Sequence, residues 1–168
     1  MAVTLQLARI TAAQLAECRR SDDTLNTLCS FDLVPMSDHL DLDWADDGII
    51  RMCEHTGIGD VASVRRAVEG GAEVNPAYRD HPDSVMEQPM LLEPADVVAS
   101  ATALRDIDLE RIFSALPADP QAVKDTLGGN LHDLIGDPRR YLAKHFTALR
   151  DFYTTAADQH LAVVIWCD

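Results

Sequence analysis

Val3, Leu5 and Leu7 alternate with Thr4, Gln6 and Ala8, a period of two that predicts a strand over residues 2 to 9 with one buried face. Thr11 then stands at a helix N-cap position, with Gln14 three residues on to complete a capping box and Ile10 placed to staple against Leu15. A helix is expected over about 12 to 20. From Ser21 to Pro35 the signals are short, amounting to a helical turn or two around Leu25 and Leu28. Ala45, Ile49, Met52 and Cys53 next recur at helical spacing, with Asp43 as the expected cap and Gly57 as the residue beyond an end near His55. Gly48 weakens that helix by about 1 kcal/mol relative to Ala.

The stretch from Gly59 to Asn75 is superficially similar to the helix and turn of an ankyrin repeat. Such modules bury their faces only by stacking about three copies, and nothing else in the chain repeats at a matching interval, so one helix leaving through Gly70-Gly71 is expected. Pro76, Pro82 and Pro89 with polar neighbours predict a long loop over 75 to 90. Pro94 at a first helical position, Asp96 in the first turn and a Leu92 to Val97 staple start the next helix, whose stripe is Val97, Val98, Ala101 and Leu104. Ile107, Ile112, Phe113 and Leu116 predict a short helix ending before Pro117, and 122 to 127 another ending at Gly128-Gly129. Asp137-Pro138 begins the longest helix, with Tyr141, Leu142, His145, Phe146, Leu149, Phe152, Tyr153 and Ala156 on one face. It leads into Leu161 to Cys167, apolar on both faces as a central strand is, and expected beside the N-terminal strand. The fold class is therefore α+β: one domain over 1–168, with a small, mostly antiparallel sheet pairing the N- and C-terminal strands under several helices.

This order of features resembles the YfbM-like family of bacterial proteins, a domain of unknown function. The nearest stretch runs from Tyr141-Leu142 through Leu149-Arg150-Asp151-Phe152-Tyr153 and Ala156-Ala157 to Ala162-Val163-Val164-Ile165-Trp166. Leu40-Asp41-Leu42-Asp43 with Thr56-Gly57, Ala67-Val68-Glu69-Gly70-Gly71 and Leu92-Glu93-Pro94-Ala95-Asp96-Val97 match more loosely. The resemblance implies the fold and no catalytic residue. It also implies a Trp and often a His early in the second of these helices, where this chain has Asp46 and Asp47.

Charge narrows the partners. Lys and Arg total 14 against 28 Asp and Glu, and the net charge of −14 repels nucleic acid and anionic membranes, so neither is expected as a partner. Cys18, Cys29, Cys53 and Cys167 are scattered without a Cys-x-x-Cys pair, which predicts reduced thiols in a cytoplasmic protein. The first residues lack a basic region followed by an apolar run, and no 18 consecutive residues are apolar, so neither a signal peptide nor a membrane span is expected.

Candidate chemistry is sparse. Ser37, Asp38 and His39 are adjacent and cannot form a triad among themselves, and Gly128-Gly129-Asn130 lacks the remaining glycines of a dinucleotide site. His39, Asp41 and Asp43 would share a face of an extended segment as metal ligands, but Asp43 as a helix cap with solvated neighbours is the plainer reading. No catalytic set, cofactor or metal is assigned. Two groups remain. Asp41, Asp43, Asp46 and Asp47 concentrate charge at a helix start, explained by the macrodipole or by docking of a basic protein. Tyr141 and His145, four apart on the long helix, form with Trp166 a candidate pocket, although such residues are more often core with a satisfied polar tip. The preferred expectation is a non-enzymatic, immunity-like protein-binding module. The alternative is a small cytosolic hydrolase or transferase working near the 75 to 90 loop.

Overall fold

The computed structural model describes residues 3–85 and 87–168. The first strand, β1 (Leu5–Ile10), is buried on both faces, whereas its alternation predicts one. Helices cover the sheet on either side, and both registers of β1 are used: Leu5 and Leu7 join one apolar cluster, Ala8 and Ile10 the other. Val3 lies outside the strand and is exposed, and Ala2, included in the predicted strand, lies outside the described residues.

The capping box forms as its sequence dictates, starting α1 (Ala12–Arg20), with the Thr11 hydroxyl accepting from the Gln14 N–H and the Gln14 side chain accepting from the Thr11 N–H. Ser21 caps α2 (Asp22–Cys29), a full two turns where the sequence signals were weak. A 3₁₀ turn over Met36–Asp38 leads into β2 (His39–Asp41). Arg9 fixes that approach, donating to the Ser37 carbonyl at 2.6 Å and to Asp38 at 2.9 Å while its guanidinium lies over the Phe152 ring.

Next come α3 (Ala45–Thr56), α4 (Val61–Glu69), β3 (Ala72–Glu73) and β4 (Met90–Leu92). As expected, Gly57 ends α3 in the left-handed region, at φ 64°. Gly48 has a reason to be glycine in mid-helix. A Cβ there would come within 2.7 Å of Leu142 Cδ2, so its absence lets α3 lie close against α8 (Pro138–Asp158). The helices α5 (Pro94–Arg105), α6 (Leu109–Ala115) and α7 (Pro120–Leu127) complete that layer, and Asp137 caps α8 by accepting from Arg139 N–H.

The last strand, β5 (Ala162–Cys167), unites the sheet, whose order is β2-β1-β5-β4-β3 and whose pairings are all antiparallel. Thus eight α-helices and five strands form an α+β fold among the described residues. Val163 and Ile165 face α3, α4, α5 and α8. Ala162, Val164 and Trp166 face α1, α2 and Tyr78 on the other side. Buried Tyr153 ties α8 to α4 by donating to the Ala67 carbonyl at 2.6 Å.

The 75–90 segment is anchored in its first half. Asn75 bonds the Cys18 carbonyl, Tyr78 is buried with its hydroxyl on Asn26, and His81 approaches Asp23 at 3.3 Å. Those residues seal the second face of the sheet. Met86, within the same predicted loop, lies outside the described residues.

Candidate functional site

Asp41 ends β2 opposite Gln6, and the ladder continues one step further through Leu42 N–H to the Leu5 carbonyl and Leu5 N–H to the Asp43 carbonyl. The chain then turns sharply. Asp43 takes φ 53°, a left-handed conformation that costs a non-glycine residue about 1 kcal/mol. Three hydrogen bonds over-determine the turn. The Asp43 N–H donates to Asp41 Oδ1 at 2.8 Å, the Tyr141 hydroxyl donates to Asp43 Oδ2 at 3.0 Å, and the Trp44 N–H donates to the Tyr141 oxygen at 3.2 Å.

This arrangement corrects the expectation that Asp43 caps α3. Trp44 occupies the N-cap position with no side-chain cap, and the Asp43 carboxylate is engaged by Tyr141 instead. Trp44 also supplies an aromatic at the start of the helix, where the resemblance implies one and Asp46 and Asp47 offered none. Its Nε1–H donates to the Val3 carbonyl at 2.8 Å, and the residue is 45% exposed. Val3, Trp44, Asn130 and Asp133 line a groove of about 340 Å³ beside it.

The four aspartates divide. Asp47 pairs with Arg51 at 2.7 Å, and Arg51 also reaches the Leu127 carbonyl, so Asp47 belongs to the packing of α3 on α7. Asp41, Asp43 and Asp46 enter no ion pair among the described residues. Burial raises the Asp46 carboxyl above the ordinary range, and the charges of Asp47 and Glu87 add to the rise against two backbone N–H bonds that oppose it.

Tyr141 and His145 are brought together as expected from their spacing on α8, with ring centroids 4.6 Å apart. The Tyr141 phenol is pushed well up, first by burial and then by its bond to Asp43, so it stays a donor. His145 is buried at 7% exposure and held below the usual imidazole range by burial and by Lys144, with Asp43 and Asp41 pulling the other way. The structure thus joins two groups that were separate in the sequence, the aspartates and the Tyr141–His145 pair.

Trp166 does not join them. In the antiparallel register it lies opposite Gln6, whose side chain is on the face away from α8, and it packs with Phe31 and His39 at ring distances of 5.7 and 6.1 Å. His39 therefore sits among aromatic rings, apart from Asp43, and burial lowers its pKa. Among the described residues no group of three or more His, Cys, Asp or Glu is placed to hold a metal ion. No helix among them is long and apolar enough to cross a membrane.

Sequence reasoning missed Trp44 and Glu87. A lone Trp between Asp43 and Ala45 was the available signal for the first, since a large aromatic at a helix start needs either a core slot or a reason to be exposed. Glu87 is silent in the sequence. It contributes charge to Asp46 and to Cys167 only through the fold.

A family model described as a domain of unknown function (DUF1877) matches residues 1–166. The solved structure of YfbM from Escherichia coli, a protein of unknown function, is similar at 13% identity and a TM-score of 0.61, over 98% of this chain and 99% of that one, a likeness of fold alone. No curated protein matches the chain. With all but the last two residues matched, the chain belongs to the DUF1877 family of unknown function and has the YfbM-like fold.

Proposed function

We propose that this protein is a non-enzymatic, immunity-like cytoplasmic module that binds a basic protein through the face around Trp44. The observation that carries the reading is that three carboxylates with no ion pair among the described residues, Asp41, Asp43 and Asp46, lie within five positions of one another on the turn and helix start that also carry the half-exposed Trp44. Carboxylates left in this state repel one another and raise the free energy of the unbound protein, and a basic partner relieves that repulsion. An exposed, oriented Trp is the residue type that most often dominates a protein interface. The net charge of −14 steers a basic protein toward the molecule and disfavours nucleic acid and anionic membranes.

The competing enzyme reading, placed at the 75–90 loop, loses support because Asn75, Tyr78 and His81 are engaged in holding that loop to α1 and α2. The test is affinity capture from native lysate with the wild-type protein and with the Asp41→Asn, Asp43→Asn, Asp46→Asn triple variant in parallel. A basic protein enriched by the first and lost with the second is the expected result. An identical set of captured proteins refutes the reading.

A further inference from the structure

On the face of the sheet away from α8, two polar side chains are buried without partners. Trp166 on β5 is 1% exposed, and its Nε1–H meets no acceptor among the described residues. Both ring nitrogens of His39 on β2 are likewise buried and unbonded. The unbonded Nε of Arg9 or of Arg139 is a lesser case, because each guanidinium is held through another of its nitrogens. Here two whole side chains are left over, and they belong to one cluster. β1 lies between them, with His39 opposite Ala8 and Trp166 opposite Gln6. The small Ala8 lets the two rings approach across the strand, to centroids 6.1 Å apart and planes at 84°. Gln6, the polar residue that β1 places on this face, uses its amide on the Thr4 hydroxyl at 2.8 Å. Phe31 closes the cluster, with its ring 5.2 Å from His39 and 5.7 Å from Trp166, at a backbone φ of 66° that a bulky residue seldom adopts.

A buried polar group is seldom left unbonded, and an indole N–H can only donate. Burial holds the His39 imidazole below its usual range, against the Val34 carbonyl and the Asp38 charge, so the ring is neutral at pH 7 with one nitrogen a donor and the other an acceptor. The pair therefore offers two donors and one acceptor, and Trp166 does not donate directly to His39. We infer that a buried water molecule bridges the Trp166 Nε1–H and a ring nitrogen of His39, tying β2 to β5 over Ala8. Water accepts twice and donates twice, which serves both side chains, and buried waters hold about three hydrogen bonds to groups of this kind. Rings in contact at these separations suit a single water at their edges better than an organic ligand. The bridge steadies the strand that ends in Asp41, but it does not depend on the docking reading.

The test is water-to-indole cross-relaxation in NMR spectra of the full-length, ¹⁵N-labelled protein at pH 7. The chain has two tryptophans, and the surface substitution Trp44→Phe assigns their indole signals. The Trp166 N–H is expected to show a dipolar cross-peak to water with the opposite signs in the laboratory and rotating frames that mark a long-lived bound molecule. His39→Phe, which removes both ring nitrogens, is expected to lose that cross-peak. His39→Gln, which keeps a donor and an acceptor, is expected to retain it. Absence of the cross-peak in the wild-type protein overturns the inference. So does a scalar coupling between Trp166 Nε1 and a His39 ring nitrogen, which reports a direct hydrogen bond with no water between. A cross-peak unchanged in folded His39→Phe also overturns it, because the water is then held by other groups. The two wild-type measurements decide the matter even if His39→Phe does not fold.

Discussion

Replacing Tyr141 by Phe removes one oxygen that connects α8 to the turn before α3. The hydroxyl donates to the Asp43 carboxylate at 3.0 Å and accepts from the Trp44 N–H at 3.2 Å, while the ring stays packed on His145. A hydrogen bond to a charged group contributes about 1.5–3 kcal/mol and a neutral one about 1 kcal/mol. Both orphaned groups border solvent, Trp44 being exposed and Asp43 half-buried, so water recovers part of each. A net loss of about 2 kcal/mol follows, and for a chain of this length each kcal/mol moves Tm by about 2–4 °C, giving a fall of about 4–8 °C. Scanning calorimetry at pH 7 on the two proteins measures it directly. Because Asp43 is held at positive φ by the same bonds, the loss should be much smaller in an Asp43→Gly background, where the left-handed turn needs no support. A Tm shift below about 1 °C, or an undiminished shift in that background, would refute the argument that this hydroxyl organises the turn.

Two further outcomes follow from burial. The Cys18, Cys53 and Cys167 thiols are pushed up to about 11 and that of Cys29 to about 12, chiefly by desolvation. At pH 8 roughly one in a thousand or fewer is thiolate, so Ellman's reagent should label the native protein slowly, half-exposed Cys167 first, and all four rapidly in denaturant. An immediate burst of a full equivalent from native protein would contradict this. For Asp46, a folded carboxyl pKa above the unfolded one means that ionisation disfavours folding. The penalty is absent below the unfolded value and complete above the folded one. Asp46→Asn, which keeps an acceptor for the helix N–H groups, should therefore be the more stable protein at pH 7, with the gain shrinking as pH falls toward 4. A gain that persists unchanged at acid pH would show that its origin is not ionisation.

Much of the fold was legible because its signals are local. The Thr11–Gln14 box, Pro94 after Glu93 and Asp137-Pro138 each specify a helix start within four residues, and each appears where expected. The run from Leu161 to Cys167 announced a central strand because both its faces are apolar. The short strands β2, β3 and β4 escaped because two or three residues carry no periodicity, and β4 follows Pro89 directly. The site was half legible. Spacing on one helix was enough to pair Tyr141 with His145. The assignment of Asp43 as a cap failed because its true partner is on α8, far along the chain, and no local rule anticipates that competition. Trp166 was placed on the wrong side of the sheet for a related reason. On a strand apolar on both faces, which residues look toward α8 depends on the register with β1, and register is a property of the pair.

That register also governs how the molecule assembles. β1 and β4 never pair with each other, and each is joined to the sheet through β5, which follows every helix in the chain. Without β5, the pairings that remain are two separate ribbons, β2 with β1 and β3 with β4, each with an unpaired edge. On a ribosome, β1 and β2 emerge early, but the acidic turn at Asp43 waits for Tyr141 on α8 and the sheet beneath it closes last. Cooperative stability would then arrive in one late step, and the slow search would be the closure of the long loop that returns Ile165 to Leu7.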